Sequence, residues 1–151
     1  MERIIVVALC LIGTSFSYKS FQSAFPNGKS VPNPCLTPAV WDAVGHYNPS
    51  RHTIFKNPFA RDFLLNNFKW TPALCLMDSD NDGRTNGEEL GDPSCVWSVG
   101  RTPEFPASGH PGICEPIGSS QCRSQHFACD CLENCPGLEN AIPSGPHRGN
   151  H

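Results

Sequence analysis

Four acidic side chains fall on a spacing that suits a hard cation. Asp78, Asp80 and Asp82 alternate along the chain, Gly83 follows them, and Glu89 closes a stretch of twelve residues. Calcium takes roughly 6–8 oxygens at about 2.3–2.6 Å, and the pattern D-x-[DN]-x-[DN]-G-x5-E supplies them by wrapping alternate carboxylates around the ion. Gly83 provides the sharp turn, and Glu89 closes the shell with both oxygens. Arg84 would offer only its backbone carbonyl, and Asn86 would reach the ion directly or through a water. The expected metal ligands are therefore Asp78, Asp80, Asp82, Arg84, Asn86 and Glu89, holding one structural calcium per chain. Carboxylates this dense repel one another unless a cation lies between them.

The flanks argue against a calcium switch. The exit segment, residues 86–90, is stopped by Gly91-Asp92-Pro93 after little more than one helical turn. No second loop of this kind follows. Thr85 stands at the eighth position, where a paired loop could bury an apolar residue against its partner. A permanently held ion fits this better than a signal reader, and extracellular modules of this type bind calcium with dissociation constants of about 0.1–1 mM.

The compartment follows from the N-terminus and the cysteines. Arg3 precedes an apolar run from Ile4 to Ile12, then small polar residues to Ser17, which is the pattern of a secretory signal peptide over residues 1–17 with cleavage before Tyr18. The run is too short to span a bilayer. Cleavage removes Cys10 and leaves Cys35, Cys75, Cys95, Cys114, Cys122, Cys129, Cys131 and Cys135, an even set on an oxidising route. Joining Cys75 to Cys95 would clamp both arms of the acidic loop and is worth about 3 kcal/mol in the chain-entropy picture. Cys129-Asp130-Cys131, with His126 and Cys135 nearby, also has the composition of a zinc cluster, but the secretory route favours disulfides.

A net charge of -3 leaves no basic field for nucleic acid. Beyond the signal peptide no segment is apolar enough to cross a membrane, and Asn48-Pro49-Ser50 is not a glycosylation acceptor because proline occupies its middle position. With 15 prolines and 13 glycines, a small domain with a modest core and many loops is expected. Thr37-Pro38, Asn57-Pro58 and Thr71-Pro72 each read as a cap followed by proline at the first helical position. They predict short helices over residues 39–44, 59–68 and 73–77, the second with an apolar stripe of Phe59, Phe63, Leu64 and Phe68. Trp41, Trp70 and Trp97, with the phenylalanine stripe, read as core, with a partner-facing surface left open for one or two of the tryptophans. His46, His110 and either His52 or His126 could make a copper or zinc site, but their spacing is not specific, and solvent or capping roles are expected.

Further residues carry a family resemblance. Phe25-Pro26-Asn27-Gly28, Val31-Pro32-Asn33-Pro34-Cys35, Trp41-x-x-Val44-Gly45-His46, Asn57-Pro58-Phe59-x-x-Asp62-Phe63, Trp70-x-x-x-Leu74-Cys75, the run from Asp78 to Trp97, and His110-Pro111-Gly112 together resemble temptins. Temptins are secreted, disulfide-bonded proteins of molluscs, with relatives in other animals. The resemblance covers about residues 18–114 and supports Tyr18 as the first mature residue. It leaves residues 115–151 as a Cys-rich and Pro/Gly-rich extension whose Cys122, Cys129, Cys131 and Cys135 either form a separate knot or exchange partners with Cys35 and Cys114.

The resemblance implies a water-borne pheromone component that acts as an attractant with other secreted peptides, and a likeness to EGF-type modules. Similar domains occur in shell-matrix and gland proteins and beside copper monooxygenase-like domains. The expected fold is a small disulfide-rich secreted domain, mostly irregular, with short helices and one EF-hand-like calcium loop. The expected function is a non-catalytic, extracellular signalling or binding protein whose partners are secreted proteins or peptides and a receptor. A matrix protein and a copper-monooxygenase-type accessory domain are the alternatives. An enzyme is not expected, because no nucleophile, phosphate loop or acid/base pair stands apart from the acidic loop.

Overall fold

Asn57, Thr71 and Thr85 each stand in extended backbone one residue before a short helix and supply its first cap. In the computed structural model, which describes residues 21–50 and 55–129, these helices are α1 (Pro58–Leu65), α2 (Pro72–Leu76) and α3 (Asn86–Leu90). A 3-10 helix, Gln121–Gln125, follows them. The expected signal peptide lies outside the described residues, as do His52, Cys131 and Cys135.

Pro58 and Pro72 open their helices, where a missing N–H costs nothing. The Asn57 side chain accepts from the Ala60 N–H at 3.1 Å, and Thr71 accepts from Leu74 at 3.1 Å. Thr71 also donates to the Asn66 side chain at 2.7 Å, which ties the end of α1 to the start of α2. α3 begins with a reciprocal capping box between Thr85 and Glu88 and ends at Gly91 in the left-handed region, φ 78°. It is the short exit turn expected of this sequence.

Two helical expectations are corrected. α1 ends at Leu65 because Asn67 and Phe68 both take φ 56° and turn the chain back, the Phe68 N–H reaching the Phe63 carbonyl at 2.9 Å. Its inward face is Phe59, Asp62 and Phe63, while Leu64 and Phe68 are exposed. Residues 39–44 form no helix. Trp41 N–H instead bonds the Val31 carbonyl at 2.9 Å, and Asn33 N–H bonds Ala39 at 3.0 Å, so the chain doubles back as extended backbone. The burial pattern agrees: a helix would put Val40 and Val44 on one face, yet Val40 is exposed and Val44 buried, while Trp41 and Ala43 are buried on either side of exposed Asp42.

No β-sheet forms among the described residues. Isolated antiparallel bridges join Pro32 to Val40 and His46 to Lys56. Two apolar clusters organise the irregular chain. One gathers Phe25, Val31, Val44, Phe59, Phe63, Leu74 and Leu90, with Trp70 against its edge. The other gathers Trp41, Tyr47, Ile113 and Phe127. Phe25 meets Phe59 and Phe63 edge-on at 5.3 and 5.5 Å between ring centres, a favoured aromatic geometry.

Among the described residues, three disulfides staple these clusters: Cys35–Cys129, Cys75–Cys95 and Cys114–Cys122. The Cys75–Cys95 clamp expected from the sequence is therefore present. Of the two arrangements left open for the extension, exchange prevails, since Cys122 and Cys129 pair with Cys114 and Cys35 rather than with each other. No ladder is available to satisfy much of the backbone, so buried polar side chains do so. Asn57 donates to the Val44 and His46 carbonyls at 2.6 and 3.3 Å. The wholly buried Asp92 accepts from Trp70 Nε1 at 2.8 Å and from the Val96 and Trp97 N–H groups at 3.0 and 3.1 Å.

Leu74→Ala, at a side chain with no exposure on α2, is expected to cost about 2–5 kcal/mol. Leu76→Ala on the outer face of the same helix, 66% exposed, is expected to cost under about 0.5 kcal/mol. Chemical denaturation of the two oxidised variants measures the difference.

Candidate functional site

α2 enters the acidic stretch and α3 leaves it, and the side chain between them is Asn86. Its Nδ2 donates to the Leu74 carbonyl at 2.8 Å and to Ser79 Oγ at 2.9 Å, while its backbone N–H bonds the Met77 carbonyl at 2.7 Å. The two arms are thus tied at their base. Behind them runs the Cys75–Cys95 bridge, against which Gly87 packs so closely that a Cβ there would lie 2.4 Å from the Cys75 sulfur. Glycine is required at that position by space alone.

Above this base the chain coils on itself. Asn81 takes φ 63° and Gly83 φ 96°. The Asp82 N–H donates to Asp78 Oδ1 and Asp80 Oδ1, both at 3.2 Å, and the Gly83 N–H donates to Asp78 Oδ2 at 2.9 Å. The Arg84 N–H donates to Asp82 Oδ1 at 2.9 Å. Carboxylate oxygens of Asp78, Asp80 and Asp82 come within 4.8 Å of one another.

Glu89 projects from α3 and is wholly buried, and neither of its carboxylate oxygens has a hydrogen-bond partner. Asp80 Oδ2 and Asn86 Oδ1 are likewise buried and unpartnered. Four buried oxygens without donors are costly, since each loses water and gains nothing. Burial, then the Asp82 and Asp78 charges, push Asp80 up to about 8; burial, then Asp80 and Asp82, push Glu89 up to about 10. Burial, together with the Asp80 charge, pushes Tyr47 of the second apolar cluster up to about 12.

A profile of the Temptin C-terminal family matches residues 15–113. Temptin of Aplysia californica is 46% identical over 114 residues, covering 75% of this chain and 90% of that protein. The chain belongs to the temptin family. No solved structure matches it.

The family profile ends one residue before Cys114, and several residues around the acidic stretch lie beyond it or far from the stretch along the chain. The Arg84 guanidinium donates to Ser108 Oγ, and the Ser108 N–H donates to the Glu89 carbonyl at 2.7 Å. The Glu115 N–H reaches Asp82 Oδ2 at 3.4 Å, and Gln121 Nε2 donates to the Asn81 carbonyl at 3.2 Å. Glu115 and Gln121 are 33 and 40 residues from those partners, and no local pattern in the sequence could have revealed them.

The histidines do not gather among the described residues. Among the described residues, the group of three or more His, Cys, Asp or Glu close enough to hold a metal is Asp78, Asp80 and Asp82, and His46, His110 and His126 form no such group. The solvent or capping role expected for His110 is corrected. It is completely buried, edge-on to Trp41 at 5.0 Å between ring centres, and its Nδ1 accepts the Gly112 N–H at 3.1 Å. Burial pushes it down to about 3, so it is neutral. Trp41 is core as expected, whereas Trp70 and Trp97 are only part-buried.

Asn86→Ala removes both bonds that tie the arms and leaves the buried Leu74 carbonyl without that donor. A loss of about 1–3 kcal/mol is expected in denaturant unfolding, in the absence as well as the presence of divalent cations.

Proposed function

We propose that this temptin-family chain is a secreted, calcium-binding, disulfide-stabilised signalling protein that acts as a component of a water-borne pheromone complex and binds secreted proteins or peptides. The observation that carries the calcium reading is the fully buried Glu89 carboxylate with no donor on either oxygen, beside the converging Asp78, Asp80 and Asp82. A calcium ion held by Asp78, Asp80, Asp82, Glu89, the Arg84 carbonyl and the unpartnered Asn86 Oδ1 would supply the positive charge that these oxygens lack. The donor set consists only of oxygens, which suits calcium rather than copper or zinc.

The pheromone part of the reading rests on family membership. Rigidity imposed by three disulfides, together with the exposed side chains of Val96, Val99 and Phe105, supports recognition of a partner by a preformed surface. Secretion through a cleaved signal peptide over residues 1–17 belongs to the same reading. Mass spectrometry of protein recovered from culture medium is expected to show Tyr18 at the N-terminus. In a behavioural assay, the oxidised protein should attract conspecifics only in the presence of other secreted peptides.

Titration calorimetry of the metal-stripped, oxidised protein tests the ion site. One calcium per chain is expected, with an affinity of about 0.1–1 mM, and Asp78→Ala and Glu89→Gln should abolish or greatly weaken binding. Glu88→Gln should bind normally, because glutamine retains the capping oxygen that Glu88 presents to Thr85. At an affinity of about 0.1 mM and about 1 mM calcium, the ion adds roughly 1.4 kcal/mol of stability. Identical chelator responses of wild type and Glu89→Gln would end the calcium reading.

Acidity gives an independent check. Asp80 and Glu89 are raised in the stripped fold, so the unfolded chain releases their protons first, at about pH 4. Their contribution to the stability of the stripped protein is therefore complete below about pH 4 and declines as pH rises through about 8 for Asp80 and about 10 for Glu89. Added calcium should flatten that decline in thermal unfolding measured across the same range.

A further inference from the structure

The acidic stretch is not closed by its own twelve residues. Its open side faces the segment from Cys114 to Cys122, a short loop closed by a disulfide and seated by buried Cys114 and Cys122. Gln125 locks the segment by accepting from the Cys114 N–H at 2.9 Å and donating to the Gly112 carbonyl at 2.9 Å. Two contacts then place it on the acidic stretch: Gln121 on the Asn81 carbonyl, and the Glu115 N–H on Asp82 Oδ2. The Glu115 carboxylate is half-buried and accepts the His110 N–H on Oε1 at 3.1 Å, which fixes its position. Its charge acts on Asp82, Asp80 and Glu89, with Arg84 as the cation facing it.

From this arrangement we propose that Glu115, delivered by the Cys114–Cys122 loop, belongs electrostatically to the cation site and strengthens calcium binding by the stretch from Asp78 to Glu89 from outside it. The proposal rests on the calcium reading above. The independent sign that this cluster is built for a ligand is Glu89, which has no exposure and no partner on either oxygen. Adding a further carboxylate to a group that already lacks donors disfavours the empty site. It favours the occupied one, because each fixed negative charge near a bound divalent ion adds attraction. Charge count and rigidity are the terms by which oxygen sites of this kind set their affinity. Glu115 is thus a positioning residue, and the disulfide-closed loop makes its placement rigid.

Glutamine at this position keeps a carbonyl oxygen for the His110 N–H and removes only the charge, so Glu115→Gln separates the electrostatic role from the structural one. Calcium calorimetry on wild type, Glu115→Gln and Glu115→Asp, with Glu104→Gln as a distant charge control, provides the test. Glu115→Gln should weaken calcium binding by about 3- to 10-fold, the size expected of one partly screened charge near the site. Glu115→Asp should stay closer to wild type, and Glu104→Gln should match wild type. Thermal unfolding of stripped Glu115→Gln should occur at the same or a higher temperature than that of stripped wild type, since one repelling charge is gone. If wild type binds calcium and Glu115→Gln binds equally well, this inference fails and the calcium reading stands. Equal weakening in Glu115→Gln and Glu115→Asp would reduce Glu115 to a structural acceptor and overturn the inference, and absence of calcium binding by wild type would overturn both readings.

Discussion

Mutual repulsion among carboxylates held at one point is the constraint around which the rest of this temptin domain is arranged. Asp78, Asp80 and Asp82 are brought together by a coil with positive φ at Asn81 and Gly83, and Glu89, outside that group of three, is buried without a donor. Fully ionised and without a cation, such a cluster would push the loop open. What prevents this is the tying of its base: Asn86 across the two arms, the Cys75–Cys95 bridge behind them, and Gly87 packed on that bridge. The proposed calcium ion would turn the same repulsion into attraction.

The rest of the fold shows how a chain with little regular structure satisfies its backbone. Asn57, Asp92 and Asn27 do work that ladders perform elsewhere, with Asn27 donating to the Leu90 and Phe105 carbonyls, both at 2.8 Å. A buried unpaired N–H or C=O costs enough that these side chains are as necessary as the apolar clusters. The clusters are small, and disulfides compensate by restricting the unfolded chain. Cys35–Cys129 matters most in this respect, because it joins positions 94 residues apart and carries Phe127 into the cluster with Trp41 and Tyr47.

Site and scaffold are therefore one object rather than a loop grafted on a support. Leu74 and Leu90, at the two edges of the acidic stretch, belong to the first apolar cluster. Tyr47, whose phenol responds to the Asp80 charge, belongs to the second. Loss of the proposed cation would be felt through both clusters, and loss of packing would be felt at the carboxylates. That coupling fits a permanently held structural ion better than a switch, because the short α3 turn offers no long lever to swing.

What the sequence determined by itself is whatever depends on a few neighbouring residues. The carboxylate spacing, the proline-opened caps at Asn57 and Thr71, the one-turn exit helix ended by Gly91 and the clamp between nearby Cys75 and Cys95 all involve partners close along the chain, so local chemistry was enough. Tertiary structure decided the rest. Trp41 is drawn into the second cluster and pulls residues 39–44 into extended backbone, against a local pattern that reads as helix. His110 is buried as a neutral ring, Cys122 and Cys129 reach back to Cys114 and Cys35, and Glu115 arrives beside Asp82 from far along the chain. Each of these outcomes depends on which distant surfaces are buried against one another, a competition among whole-chain packings that no short stretch of residues encodes.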